Sequence, residues 1–475
     1  MRERTCVWWR VALLVSFSLL VTSCAGDDDD DDSNEPSGDD DAIADDDSDD
    51  DAADDDDLGP AGVLQVGAAR VDISPAPDVS LKMGGYGLYF LSESMCRWST
   101  GVHDPIYATA IAVEDADGRR VILIHLDVVG LITTDIVRIQ QGVSAALAIV
   151  PDRVIVSASH SHQSPDTVGM WGVLLPPISG RDEAFIDDMI AGSVQAGVDA
   201  YNARREARIS FGSSEFADLH YNSNQPLDPQ AYTDDAMTMM AATTPEGEPI
   251  ATLMNWACHP MVMGPQNTLI SSDFLGPYYR LMDAEIGGIN MFMNGSLGAS
   301  VHPQNPYAPF PIDGREWGTW EDVENYGRVL ADAAQDLFAT VEPATDTSVD
   351  VRAYWVESKV QNYFFVLTGK WGIIPRDIPN FGENGTTTMT ALWIGDVPFA
   401  TVPGELVPTI STQLRAIMGG EHQFVINLGQ DWIGYIITPQ QFYHIAYIYN
   451  DLLSAGPMTG VALIEQFEKI YGEAR

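Results

Sequence analysis

The chain has 475 residues, 45% of them hydrophobic, with 24 Lys and Arg against 69 Asp and Glu and a formal net charge of −45. That length buries a large core, in one big α/β domain or two to three smaller units. That charge excludes a polyphosphate partner, nucleic acid above all.

Arg2, Arg4 and Arg10 precede an apolar run from Val11 to Val21 that ends in Val21-Thr22-Ser23-Cys24. Residues 1–23 read as an export signal with a small-residue cleavage site, and the run is too short for a membrane span. Cys24, with an aliphatic residue three positions before it and Ser just before it, resembles the lipid-modified cysteine of bacterial lipoproteins. Acylation there tethers a protein to a membrane, which places the chain in a bacterial cell envelope. The alternative is an ordinary cleaved signal.

Residues 24–61 form a spacer. Between 27 and 57 stand nineteen Asp and one Glu, a composition that buries no apolar surface and repels itself into an extended chain. These acids hold twenty of the negative charges and residues 1–23 carry two net positives, which leaves −27 on residues 58–475. Of the four cysteines only Cys96 and Cys258 lie in the part expected to fold. Export permits a disulfide between them, but the pair alone does not show one.

From residue 62 onward apolar β-like runs alternate with helical patterns. Strands are expected at Arg120–Asp127, Arg153–Ser159, Ile250–Trp256, Ile289–Met293, Ala391–Ile394 and Pro398–Val402, all short, β-branched and bounded by turns. Helices are expected at Thr134–Ala148, Glu183–Ala203, Asp273–Ile286, Trp320–Val341 and Glu405–Met418. Strands joined by crossover helices make an α/β fold with a mixed sheet core, as a single large domain over 62–475. No repeat of fixed period is visible. The Gly/Pro-rich stretch 304–318 reads as a long functional loop.

Chemistry-bearing side chains recur at the ends of these strands. His160 and His162 follow the run 153–159, and a spacing of two puts both imidazoles on one side where an extended backbone continues through them. A polar turn with two exposed histidines is the alternative. His259 ends Asn255-Trp256-Ala257-Cys258-His259-Pro260, where Pro260 stops regular pairing. Glu405 lies in a turn leading into a helix, a place that also favours a first-turn acid. Tyr435, after Gly434, reads equally as a core or rim aromatic. Two or three His or carboxylate ligands with a position kept for water are the pattern of zinc sites that hydrolyse amides or esters. Asp127 and Asp273 read as capping residues, and His103 and His125 as structural histidines.

Eight segments in order carry a broader likeness: VGAARVDISP (66–75), MGGYG (83–87), GVHDPIYATAIAVED (101–115), SASHSHQSPDTVG (157–169), NWACHPMVMGPQNTLISSDF (255–274), MNGSLG (293–298), VPGE (402–405) and GYIITP (434–439). Together they resemble the catalytic domain of the neutral, alkaline or non-lysosomal ceramidase family over essentially all of residues 64–475. The resemblance implies a zinc-dependent amidase that splits N-acylated sphingoid bases such as ceramide into fatty acid and amine. It implies zinc ligands at His160, His259, Glu405 and Tyr435, with His162 facing the reacting centre and Tyr447 near the substrate carbonyl.

Two departures bear on substrate. Family members read GDVSPN after the NGA/NGS turn, with a catalytic Ser, where this chain reads Gly298-Ala299-Ser300-Val301-His302-Pro303. Aligned without a gap, Val301 takes the Ser position; with one inserted residue His302 takes it, and Ser300 is the nearest hydroxyl. Near Tyr221-Asn222-Ser223-Asn224 the family's substrate-facing Arg is absent. Zinc-bound water does not strictly need a Ser nucleophile, so a changed pocket is the simplest consequence. The loop 304–318 with Trp317, Trp320, Trp371 and Phe381 is the candidate apolar cleft. A zinc hydrolase of a different amide or ester, and a non-catalytic lipid-anchored binding homologue, are the alternatives.

Overall fold

The computed structural model describes residues 62–87, 91–304 and 318–473. The export signal, Cys24, the spacer and most of the loop 304–318, including Trp317, lie outside them. The described residues belong to one compact unit, Asp57–Arg475.

One topological unit occurs three times. In the first, strands Gln65–Asp72, Tyr107–Glu114 and Arg120–Leu126 run antiparallel to one another. Helix Thr133–Leu147 then crosses over, and strand Val154–Ala158 returns parallel to the third strand. The second repeats this order with Arg208–Glu215, Ala236–Thr243 and Pro249–Trp256, helix Leu275–Glu285 and strand Ile289–Asn294. The third has Val349–Lys359, Asn384–Ile394 and Val397–Thr401, helix Pro408–Met418 and strand Phe424–Ile426. A crossover is required wherever the last strand returns parallel.

The three sheets face a shared core. Val121, Leu123 and Ile155 of the first meet Phe211, Leu253 and Met293 of the second and Leu392, Phe399 and Ile426 of the third. At its centre Phe399 stacks on Phe424 with ring centroids 4.1 Å apart, and Phe211 stands edge-on to both at 6.5 and 6.2 Å. Each such aromatic contributes about 1.5–3 kcal/mol through burial. Helices cover the outer faces: Ile122, Ile124 and Leu126 pack with Ile136, Ile139 and Met189, while Tyr278, Tyr326 and Leu330 cover the second sheet. The central strands are therefore apolar on both faces, which makes them legible as short continuous runs. Among the described residues all three cores lie between Leu64 and Tyr471.

The mixed α/β class is as expected, and all six expected strands and five helices are present, although the strand expected at Ala391–Ile394 starts at Asn384. Glu405 differs. It sits in a two-residue strand, Glu405–Leu406, that pairs in parallel with Tyr435–Ile436, and the helix starts only at Pro408. Proline's missing N–H suits that first helical turn. Cys96 and Cys258 are both buried and free, not bridged.

Candidate metal centre

Parallel strand pairs place their C-terminal ends together, and α/β proteins bind ligands there. In the first unit the ends are Leu126 and Ala158, followed by Val129 and His160; in the second, Trp256 is followed by His259; in the third, Thr401 is followed by Glu405 and Ile426 by Tyr435. One site thus draws on all three units.

The extended backbone does not continue through His160. Its φ is +69°, in the left-handed region, and Ser159 and His160 donate their backbone N–H groups to Leu126 and Val128 at 2.9 Å before the chain turns. His162 N–H donates to Pro260 O at 3.0 Å, which joins the two histidine segments. Asn294, at the end of the second unit, donates to Ser159 O at 2.8 Å and to Cys258 O at 2.7 Å. Ala299, Ser300, Asp273, Leu428 and Gln430 also hold positive φ. Such strain gathers at functional sites, where the surrounding structure holds it in place.

Three buried histidines converge. The ring nitrogens of His160, His162 and His259 include a set within 4.8 Å of one another, and the rings lie 4.9, 5.0 and 5.5 Å apart. His160 Nδ1 donates to Val129 O, and His259 Nδ1 donates to Val301 O at 2.7 Å. Each bond fixes the tautomer and leaves Nε2 as a lone-pair donor. Both Nε2 atoms turn to the same Glu405 oxygen, Oε2, at 3.5 and 3.4 Å, and the Tyr435 hydroxyl lies beside that carboxylate and favours its charged form. Glu405 Oε2 and both nitrogens of His162 are buried without a hydrogen-bond partner. Buried polar atoms almost always have partners, so orphans aimed at one point, on histidines oriented by backbone carbonyls, fit a metal ion.

Burial, the largest influence on Glu405, would raise its carboxyl, but His160, His259 and Tyr435 together hold it below its ordinary value. Burial lowers His160, with Glu405 opposing, and burial with the two neighbouring imidazoles lowers His162 well below 6.5. Burial and then Glu405 push the Tyr435 hydroxyl well up. All of this favours neutral His160 and His162 beside an ionised Glu405.

The structure thus brings together His160, His162, His259, Glu405 and Tyr435. His302 borders the group: its half-buried ring lies 5.4 Å from that of His259, and removal from water lowers its pKa to about 3. Ser300 sits at the turn before it, its O accepting from Ser223 N–H at 3.0 Å. Tyr447 is buried, but its hydroxyl donates to Asp228 Oδ2 at 2.8 Å and accepts from Gln441 Nε2 at 3.1 Å. Trp320 stacks on His103 at 3.6 Å, while Trp371 and Phe381 are 37% and 42% exposed. Asp127 receives Tyr107 N–H and the Tyr279 hydroxyl, and Asp273 receives the N–H groups of Val262, Met263 and Phe274. Asp273 therefore braces the loop after His259 as well as the helix start. His125 bonds Ser157 inside the core.

Sequence reasoning missed Asn294, Tyr86 and Gly85 as parts of this centre. Tyr86 meets the His162 ring edge-on at 4.8 Å. Their signal was present in MNGSLG and MGGYG, but a positioning role needs the contact itself.

A family model for neutral/alkaline non-lysosomal ceramidase, N-terminal, matches residues 64–301. The neutral ceramidase of Oryza sativa subsp. japonica is 24% identical over 231 residues, 46% of this chain and 28% of that protein. Neutral ceramidase B of Dictyostelium discoideum is 23% identical over 254 residues, 51% of this chain and 34% of that protein. The chain thus matches well under half the length of these relatives. The crystal structure of neutral ceramidase from Pseudomonas aeruginosa superposes with a TM-score of 0.71 at 17% identity, over 86% of this chain and 75% of that one. A ceramidase complexed with C2 gives the same TM-score at 16% identity.

Proposed function

Because the chain belongs to the neutral/alkaline non-lysosomal ceramidase family, we propose that it is a zinc-dependent amidohydrolase that cleaves the N-acyl amide of ceramide-like lipids to a fatty acid and a sphingoid base. One observation carries this reading: His160 and His259, each oriented by a backbone carbonyl, turn Nε2 to the same buried, unpartnered oxygen of Glu405.

In this reading His160, His259, Glu405 and Tyr435 hold the ion. Zinc, when bound, supplies a Lewis acid that activates water and polarises a carbonyl oxygen near neutral pH. Net, water adds across the amide C–N bond: the carbonyl carbon leaves as a carboxylate and the nitrogen as an amine. His162, neutral and with both ring nitrogens unpartnered, is placed to accept a proton and return it to the departing amine. Tyr447 is the proposed donor to the carbonyl oxygen, a role that requires its hydroxyl to leave Asp228. The exported, lipid-anchored location through Cys24 belongs to the same proposal, since acylation would bring the enzyme to its lipid.

His302 supports a second reading, a zinc hydrolase of a different amide or ester. An imidazole 5.4 Å from His259 narrows the space there, and with one inserted residue in the alignment His302 takes the position of the family's Ser.

Zinc content and hydrolysis of a fluorescent N-acylsphingosine, measured on the native chain and on His259→Ala, test the proposal. Stoichiometric zinc and turnover, both lost in the variant, are expected. Zinc without turnover moves the weight to another substrate, and a native chain without zinc sinks the ligand assignment.

A further inference from the structure

Two loops beside the metal centre are pinned together from inside and present apolar side chains outside. In the loop 441–450, which tightens into a helical turn at Ile445–Tyr447 and enters the short helix Ile448–Leu452, Tyr447 points inward, 1% exposed, and donates to Asp228 of the loop 222–231. Around that bond Leu227, Tyr443, Ile445 and Tyr449 are 62%, 79%, 68% and 43% exposed. Tyr449 lies 6.1 Å from Tyr435, ring to ring, so the apolar side chains begin at the centre itself. Asn362 extends the band by donating to the carbonyls of Asp451, Leu452 and Ser454, which places Tyr363, stacked on Phe381 at 4.1 Å, beside the same loop.

Tyr443 shows that this arrangement is held in place. Its φ is +69°, a conformation costly for a bulky residue, and Asp451 Oδ2 secures it by accepting Tyr443 N–H at 2.8 Å. Its ring meets Phe442 edge-on at 4.5 Å and leaves 79% of its surface to solvent. A strained residue whose side chain is spent on solvent points to a partner outside the chain.

Charge identifies the partner. Residues 58–475 carry −27, yet neither 222–231 nor 441–450 contains a Lys or Arg, and their single acid, Asp228, is the one bonded by Tyr447. With no Lys or Arg an anionic membrane has nothing to attract, and with the one acid engaged from inside a protein partner has little to set its register. Tyrosines with Leu and Ile between them suit a lipid interface, where the ring is buried and the hydroxyl stays wet.

We propose that the tips of the loops 222–231 and 441–450 form a surface that docks on a zwitterionic, electrically neutral lipid bilayer, independently of Cys24. The purpose of this surface rests on the lipid substrate proposed above; its test does not. Residues 58–475, which hold all three cores of the described residues, are sedimented with phosphatidylcholine vesicles as the native sequence and as Leu227→Ser/Tyr443→Ser/Ile445→Ser. The native chain should partition to the vesicles with little salt dependence, and the variant about tenfold or more weakly. Tyr443→Gly is a second variant that relieves the positive φ, so it should keep its melting temperature while losing affinity.

Absence of native binding, equal binding by the variants, or binding to anionic vesicles alone would overturn the proposal. A dimer in solution that these substitutions dissolve, without vesicle binding, would show instead an interface between copies of the chain, and would also overturn it. Turnover of a water-soluble short-acyl substrate separates the two readings: turnover without vesicle binding sinks the docking surface alone, and vesicle binding without turnover sinks the proposed activity alone.

Discussion

Gly85 stands against the His162 imidazole so closely that a Cβ there would come within 2.4 Å of Cγ, and its φ of +98° belongs to glycine. Both facts act through one ring. Gly85→Ala should displace His162, lower kcat by about 100-fold or more and cost roughly 1–3 kcal/mol of stability. Zinc content should stay stoichiometric if His162 serves the substrate side. Loss of zinc in the variant would move His162 into the ligand set, alongside the two histidines it adjoins.

The Tyr447 hydroxyl has one proton and gives it to Asp228. Tyr447→Phe removes that bond and leaves a carboxylate oxygen of Asp228 with one donor fewer, so stability should fall by about 1–3 kcal/mol. In the proposed role the hydroxyl leaves Asp228 for the carbonyl oxygen during turnover, so kcat should also fall by about 100-fold or more, the size expected for a lost oxyanion donor. A fall of less than about tenfold in kcat, with the stability loss alone, would show that the proton stays with Asp228 and that Tyr447 is not the donor.

Much of this architecture was legible in the sequence. Runs such as Val121–Leu126 and Val154–Ala158 are apolar on both faces and stand out as buried strands, and the histidines at their ends read as site residues. The threefold repetition did not show, because it is one of strand order and direction with no fixed period or shared side chains. Glu405 was read as a helix-entry acid because its parallel partner, Tyr435, is thirty residues on. The Asp228 acceptor of Tyr447 lies 219 residues away in the chain, and no local pattern announces such a pairing.

Asp127 supplies a stability test away from the histidines. Burial raises its carboxyl from 3.8 to about 7, against hydrogen bonds from Tyr107 and Tyr279. The folded value exceeds the unfolded one, so between about pH 4 and 7 the folded chain keeps a proton that the unfolded chain has released. The contribution is fully present below pH 4 and is lost as pH rises through 7. Asp127→Asn removes this dependence. Relative to the variant, the native chain should lose up to about 4 kcal/mol between pH 4 and pH 8, measured by denaturant unfolding. Parallel curves for the two proteins across that range would show that Asp127 is ionised throughout.

Metal removal should expose the cost of the unpartnered atoms at the centre. Without a cation, Glu405 Oε2 and the His162 nitrogens remain buried with nothing to bond, so chelation should lower the melting temperature and zinc should restore it. A thousandfold excess over the dissociation constant adds about 4 kcal/mol to the folded state. The increment should vanish in His259→Ala and shrink in Glu405→Gln, whose amide keeps the shape and loses the charge. Because His160 and His162 are held below 6.5 by burial, protons should compete poorly for them, and zinc should stay bound at pH values where free imidazoles are already charged. An equal rise of melting temperature with zinc in His259→Ala would place the ion elsewhere in the chain.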